Sequence, residues 1–329
     1  MTTLAPSLEA FFTERLARQR NASTNTVAAY RDTFCLLLRF AQQRTGRRPA
    51  SLSLGDMDAP LVGAFLDYLE ADRHVSVATR NARLACLRSF FHFASLRHPE
   101  HAALVQRVLA IPAKRTGRPS VNYLEAAEAE ALLASPDSST RTGRRDKALL
   151  ALALQSGLRV SELASLRCQD VALGKGAHVR CTGKGRKERC TPLTSQTSAL
   201  LRAWMDEIAS RQEDPLFPGP SGKKLTRDAI AKVVARHAAR AGALCPSITA
   251  KRVGPHTLRH SCAMRLLEAG VDVAVIALWL GHESVRTTDI YQHANLGLKE
   301  RALAKTAQPR SALGRYKPPD TLLAFLESL

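Results

Sequence analysis

Apolar positions recur at helical spacing along residues 7–110, separated by short polar turns, which predicts a helical bundle. In STNTVAAYRDTFCLLLRFAQ (23–42), Ser and Thr supply a cap, and Val27, Tyr30, Phe34, Leu37 and Ala41 share one face. SVATRNARLACLRSFFHFAS (76–95) repeats the arrangement with Val77, Leu84, Leu87, Phe91 and Ala94. Its polar side carries Arg80, Arg83 and Arg88. A basic face on a bundle helix is either solvated surface or a surface for a DNA groove, and the pattern leaves both open.

The periodicity stops at IPAKRTGRPSV (111–121). Two prolines restrict the backbone here, so the stretch reads as an extended linker, and Lys114, Arg115 and Arg118 could track a phosphate backbone. Helical patterns resume at 124–134 and 143–156. AHVRCTGKGRKERCTPL (177–193) then alternates polar and apolar residues around a G-K-G-R turn, the signature of a β-hairpin. Residues 195 to about 306 are mostly helical. After Pro318 and Pro319, Leu322, Leu323, Phe325, Leu326 and Leu329 make a short apolar stripe. The predicted fold class is therefore mainly α with a small antiparallel β-sheet (α+β). A helical domain spans 1–110, a basic linker 111–121, a second domain 122–306 and a tail 307–329.

Charge sharpens this picture. The 329 residues carry a formal net charge of +19, which points to a polyanionic partner, with nucleic acid foremost. Residues 1–118 hold 17 Lys and Arg against 9 Asp and Glu, and the remainder holds 31 against 20. Both parts are basic, as expected of a clamp with two DNA-facing surfaces. Seven cysteines are scattered without a C-x-x-C pair, which argues for reduced thiols in a cytoplasmic protein. Cys181 and Cys190 flank the hairpin; they could face each other, but two small core residues is the favoured reading. No apolar run reaches membrane-spanning length, and MTTLAPSLEAFFTERL has no signal-peptide pattern.

Three stretches could carry chemistry. In GPHTLRH (254–260), Gly and Pro mark a helix start, and His256, Arg259 and His260 stand at i, i+3 and i+4. The H-x-x-x-H spacing suits zinc, but the Glu of H-E-x-x-H is missing and Arg259 would repel a cation. A helix N-terminus with a guanidinium favours an anion instead. In QSGLRVSELASLRCQDV (155–171), Gly157 breaks one helix and Arg159 opens another, with Ser161 as candidate cap and Glu162 as candidate partner for Arg159. In TGKGRKER, Lys184 sits at a hairpin tip whose glycines permit close approach to another backbone. No Ser or Thr follows that lysine, so a P-loop is unsupported. LGHESVRTTDIYQH (280–293) adds His282, Tyr291 and His293.

Taken together, SGLRVSELASL, TGKGRKERCTPL, PHTLRHSCAMRLLEAG and LWLGHESVRTTDIYQH, in this order, resemble the motifs of the tyrosine recombinase, or phage integrase, family. The likeness is strong over about 150–295 and looser for the helical region, which it casts as a SAM-like core-binding domain. It implies a site-specific recombinase that cuts and rejoins double-stranded DNA through a 3′-phosphotyrosyl bond, with Tyr291 as nucleophile. It implies Arg159 and Arg259 as phosphate ligands, Lys184 as acid for the departing 5′-oxygen, His256 as proton-transfer partner of the tyrosine, and His282 as phosphate or tyrosine ligand. His293 is incidental on this view; His260 is expected to pair with neighbouring backbone or side chains, a supporting active-site role being the alternative. Arg80, Arg83, Arg88, Lys114, Arg115, Arg118 and Arg186 are candidate DNA contacts. Neither cofactor nor metal is implied. The expected assembly is a tetramer on paired DNA sites, with the tail docked on its own domain or on a neighbouring protomer. Integration, excision or transposition of a mobile element is the expected role. Xer-type dimer resolution, a type IB topoisomerase and a non-catalytic regulator are the alternatives.

Overall fold

The computed structural model describes residues 3–117, 121–183, 188–208 and 211–281. Arg118, Lys184, Arg186, His282, Tyr291, His293 and the tail 307–329 therefore lie outside the described residues. The chain divides into two compact units, Met1–Pro119 and Ser120–Leu329. Among the described residues, no helix is long and apolar enough to cross a membrane.

The first unit is helical: α1 (Leu4–Ala10), a π-helical continuation (Phe11–Gln19), α2 (Thr24–Thr45), α3 (Ala59–Ala71), α4 (Val77–Arg97) and α5 (Ala102–Leu109). The expected caps form: Ser23 accepts from Thr26 N–H and Ser76 from Thr79 N–H, each satisfying an otherwise orphaned donor. Phe34, Leu37 and Ala41 of α2 and Leu84, Leu87, Phe91 and Ala94 of α4 are buried in one core. Aromatic rings organise its centre, with Phe90 packed edge-on against Phe11 at 5.5 Å and against Phe34 at 5.2 Å.

The polar side of α4 is only partly outward. Arg80 is 5% exposed, because its Nη1 donates to the Pro112 carbonyl at 3.1 Å and its Nε lies 3.8 Å from Glu70. Arg88 donates to the Ile111 carbonyl, and Asn81 exchanges hydrogen bonds with the backbone of Lys114. Lys114 itself pairs with Glu70 at 2.5 Å. Residues 111–114 are thus fastened along α4: a chain leaving a bundle still needs partners for its carbonyls, and the arginines of α4 supply them.

The second unit comprises α6 (Ala126–Ala134), α7 (Arg141–Ser156), α8 (Val160–Ser165), β1 (Val171–Ala172), β2 (His178–Thr182), β3 (Glu188–Pro192), α9 (Ser195–Glu207), α10 (Arg227–Ala241), α11 (Pro255–Glu268) and α12 (Val273–Leu280). The three strands form one antiparallel sheet in the order β1-β2-β3. The hairpin was legible, whereas the two-residue β1 was too short to leave an alternation. Val179 and Cys181 point into the core with α7 and α9 residues such as Leu150 and Leu201.

The hairpin register corrects the expectation for its two cysteines. Cys181 pairs with Arg189 and Arg180 with Cys190, so the cysteines are one position out of step and take opposite faces. Cys181 is buried and Cys190 exposed, and both thiols are free. Burial pushes the Cys181 thiol up to about 11.

Candidate active site

Two glycines shape the backbone around the arginines. Gly157 ends α7 in the left-handed region at φ +62°, and Gly281 ends α12 there at φ +65°. Space is restricted as well as conformation. A Cβ on Gly157 would sit 2.6 Å from Leu280 Cδ2 and 3.2 Å from Cys262 Sγ, and one on Gly281 would sit 2.8 Å from Arg189 Nη1. Neither position accommodates a larger residue without displacing a neighbour.

Arg159 follows Gly157 closely and is the N-cap residue of α8. Ser161, expected as the cap, is instead the second residue of the helix. The orphaned N–H of Arg159 is instead taken by the Glu162 carboxylate at 2.7 Å, a return bond from the helix's third residue. The same carboxylate accepts from Arg159 Nη1 at 2.9 Å, so one side chain fixes both the backbone and the guanidinium. Arg159 Nη2 reaches the Gly281 carbonyl at 2.9 Å.

Pro255 opens α11, as its preset φ favours at a first helical position. His256 is exposed in that first turn, Arg259 is buried at 5% exposure, and His260 is half-buried. Arg259 donates from Nη1 to the Gly157 carbonyl at 2.6 Å and from Nη2 to the Leu280 carbonyl at 2.7 Å. Burial, followed by the charges of His256 and Arg259, holds the His260 imidazole below its ordinary range. Behind Arg259, Cys262 Sγ donates to the Gln155 carbonyl, and burial raises its thiol to about 12, which leaves it unreactive.

Arg159 and Arg259, a hundred positions apart, therefore grip the consecutive carbonyls of Gly281 and Leu280. The next residue in the chain is His282, and Tyr291 follows nine positions later.

One contributor escaped the sequence reading. Arg189 of β3 donates to both oxygens of Glu162, at 3.0 and 2.7 Å, and to the Trp279 carbonyl at 3.2 Å. Burial alone would push the Glu162 carboxyl up, but hydrogen bonds from Arg189 and Arg159 outweigh it and hold the group below its ordinary range. In KGRKERC, Arg189 is one cation among several, and its partner lies 27 positions upstream, so only the fold reveals the pair.

A second buried cluster lies toward the other end of α7. Asp146 is fully buried and accepts from Arg145, from Arg236 at 2.6 Å and from His237 at 2.9 Å. Among the described residues, no cluster of three His, Cys, Asp or Glu side chains could hold a metal ion.

Comparison with known proteins identifies the architecture. Residues 122–297 match the phage integrase family, and residues 10–98 match the phage integrase N-terminal SAM-like domain. The chain is 51% identical over 327 residues to the integrase/recombinase y4rC of Sinorhizobium fredii, covering 99% of this chain and 98% of the relative. It is 33% identical to the tyrosine recombinase XerD of Pseudomonas putida over 86% of this chain and 91% of the relative. Among solved structures, the XerH site-specific recombinase bound to palindromic difH substrate superposes with a TM-score of 0.71 at 24% identity, over 87% of this chain and 81% of that one. The Tn1549 transposon integrase in complex with a circular intermediate DNA gives 0.64 at 16% identity, over 90% and 98%. With both parts matched in order along nearly the whole sequence, the chain belongs to the phage integrase family of tyrosine recombinases.

Proposed function

We propose that the protein is a site-specific DNA recombinase that cuts and rejoins strands through a covalent 3′-phosphotyrosyl intermediate. The observation that carries this reading is the convergence of Arg159 and Arg259 on the two carbonyls directly preceding His282. Two fixed guanidiniums at one point suit a phosphodiester whose non-bridging oxygens gain charge in the transition state.

In the proposed reaction Tyr291 Oη attacks phosphorus, the P–Oη bond forms and the bond to the 5′-oxygen breaks. Lys184, between β2 and β3 in sequence, protonates that leaving oxygen. Free tyrosine has a pKa near 10 and is a poor nucleophile, so His256 assists its proton transfer while His282 binds the phosphate or orients the ring. The phosphotyrosyl bond retains the energy of the broken linkage. A 5′-hydroxyl of another strand then reverses the step without ATP. Cationic groups aimed at a transferring phosphoryl group can contribute roughly 10³-fold or more, enough to dispense with a metal.

Arg83, Arg88, Lys114, Arg115, Arg118 and Arg186 are the proposed backbone contacts, with buried Arg80 holding the linker in place. The partners are double-stranded DNA and further recombinase subunits, up to a tetramer on paired sites, with the tail 307–329 docking in trans. The likeness to an integrase/recombinase along almost the full chain supports integration, excision or transposition of a mobile element. The likeness to XerD favours, as second reading, resolution of chromosome or plasmid dimers.

The test is trapping on a nicked suicide DNA substrate with EDTA present. A protein–DNA adduct that disappears in Tyr291→Phe is expected; an adduct that persists in that variant, or that requires added metal, refutes the mechanism.

A further inference from the structure

Glu162 is a buried carboxylate placed directly against Arg159. Left alone, such a pair would be electrically closed. The two charges would cancel, and the guanidinium would lie against its carboxylate rather than remain available to an incoming phosphodiester. Arg189 changes that balance. Its side chain is only 12% exposed and holds Glu162 through two parallel hydrogen bonds, the fork geometry in which a guanidinium neutralises a carboxylate most completely. The three groups together carry one net positive charge. Glu162 still accepts from Arg159 Nη1, but because Arg189 shares the same carboxylate, the net positive charge is spread over both guanidiniums, Arg159's included.

The placement of Arg189 also ties three elements together. It stands on β3, opposite Cys181 of β2, and Lys184 falls in sequence between the two strands. It reaches α8 through Glu162 and the end of α12 through the Trp279 carbonyl. Gly281, whose carbonyl Arg159 grips, lies so close to the Arg189 guanidinium that a Cβ would collide with it.

We propose that Arg189 is a positioning residue: it shares the Glu162 carboxylate so that Arg159 presents more of its charge to the scissile phosphate, and it locks the β2–β3 hairpin to the backbone gripped by both arginines. The proposal rests on the reading of Arg159 as a phosphate ligand, and its test separates the two.

Adduct formation on the nicked suicide substrate is timed for the full-length wild type, Arg189→Met, Glu162→Gln and the double variant, with DNA affinity and thermal melting measured on the same samples. Arg189→Met is expected to slow adduct formation on the order of 10²-fold, the usual scale for one misdirected electrostatic donor, with DNA affinity within about three-fold. The double variant is expected to be faster than Arg189→Met by about five-fold or more, because removing the Glu162 charge frees Arg159 again. A purely structural role predicts the reverse, with the two losses accumulating. An unaltered rate in Arg189→Met, or a double variant no faster than the single one, overturns the proposal. Should Arg189→Met fail to fold, Arg189→Lys decides, since it keeps the charge and loses the fork. A rate within about ten-fold of wild type supports the charge role, and a loss on the order of 10²-fold overturns it. A wild-type chain that forms no adduct fails the underlying function and is recognised as such, because that result precedes any variant.

Discussion

Arg159 donates from Nη2 to the carbonyl of Gly281 at 2.9 Å, across 122 positions of sequence. One end of this bond belongs to the helix-opening residue that follows the Gly157 turn, and the other immediately precedes His282. The bond fixes where the segment carrying His282 and Tyr291 begins. Arg259 takes the carbonyl one residue earlier, so the end of α12 is held by two cations at once.

Gly281→Ala should therefore impair chemistry more than binding. The left-handed backbone at φ +65° costs a non-glycine residue roughly 1–2 kcal/mol, and the new Cβ would press on Arg189. Small misplacements of catalytic groups cost rate steeply, and a 10- to 100-fold slower adduct formation is expected with DNA affinity within about three-fold. Equal losses in rate and affinity, measured on one preparation, would contradict this account.

Stability at the other end of α7 depends on Asp146. Its carboxylate serves Arg145, Arg236 and His237 from a fully buried position. Asp146→Ala leaves the buried Arg145 guanidinium without its counter-charge and the buried His237 without its hydrogen-bond partner, and should cost about 3–5 kcal/mol, read by denaturant unfolding. Asp32→Ala is the control. It breaks a pair with Arg31 in which both side chains are mostly exposed, and is expected to cost under about 1 kcal/mol. Comparable losses in the two variants would refute the distinction.

Much of this was legible because periodicity reports burial. The buried faces of α2 and α4 were read directly from Phe34, Leu37, Leu84 and Phe91, and the hairpin from its alternation. Long-range polar pairing was not legible. Arg80 looked like surface because a sequence does not say that Glu70 and the Pro112 carbonyl wait beside it. Cys190 looked like core because hairpin register is set by the whole ladder, and a one-residue offset reverses the face. Ser161 seemed the natural cap, but the cap residue is Arg159, whose N–H Glu162 takes up. Of the motif residues, Arg159 and Arg259 meet at one stretch of backbone, while Arg189 emerged only when β3 met α8.

Acidification should weaken the fold in two stages. The imidazole of His260 is held below its ordinary value of 6.5, so the folded chain binds fewer protons there than the unfolded one. Stability must then rise with pH through that region and decline as pH falls below about 6.5. Glu128, Asp146 and Glu162 are likewise held below their ordinary values of 4.5, 3.8 and 4.5. Their contribution is complete above those values and is lost as pH falls through the lowered ones. Melting temperature followed from pH 7.5 to 5.5 should slope downward in the wild type and less so in His260→Gln. Identical slopes would remove His260 from the account.

Arg80 and Arg115 should separate cleanly in experiment, although both are arginines near the same linker. Arg80 is buried against α4's own surroundings, whereas Arg115 is exposed. Arg80→Met leaves the Pro112 carbonyl without its donor and should cost roughly 1–3 kcal/mol of stability. Because the guanidinium faces protein, the salt dependence of DNA binding should keep its slope. Arg115→Ala should leave the melting temperature unchanged and lower the slope of log K against log salt by about 0.9, the share of one phosphate contact. Titrations at four salt concentrations distinguish the two. If Arg80→Met lowers the slope while stability holds, its buried position in the first unit is not the one it occupies on DNA.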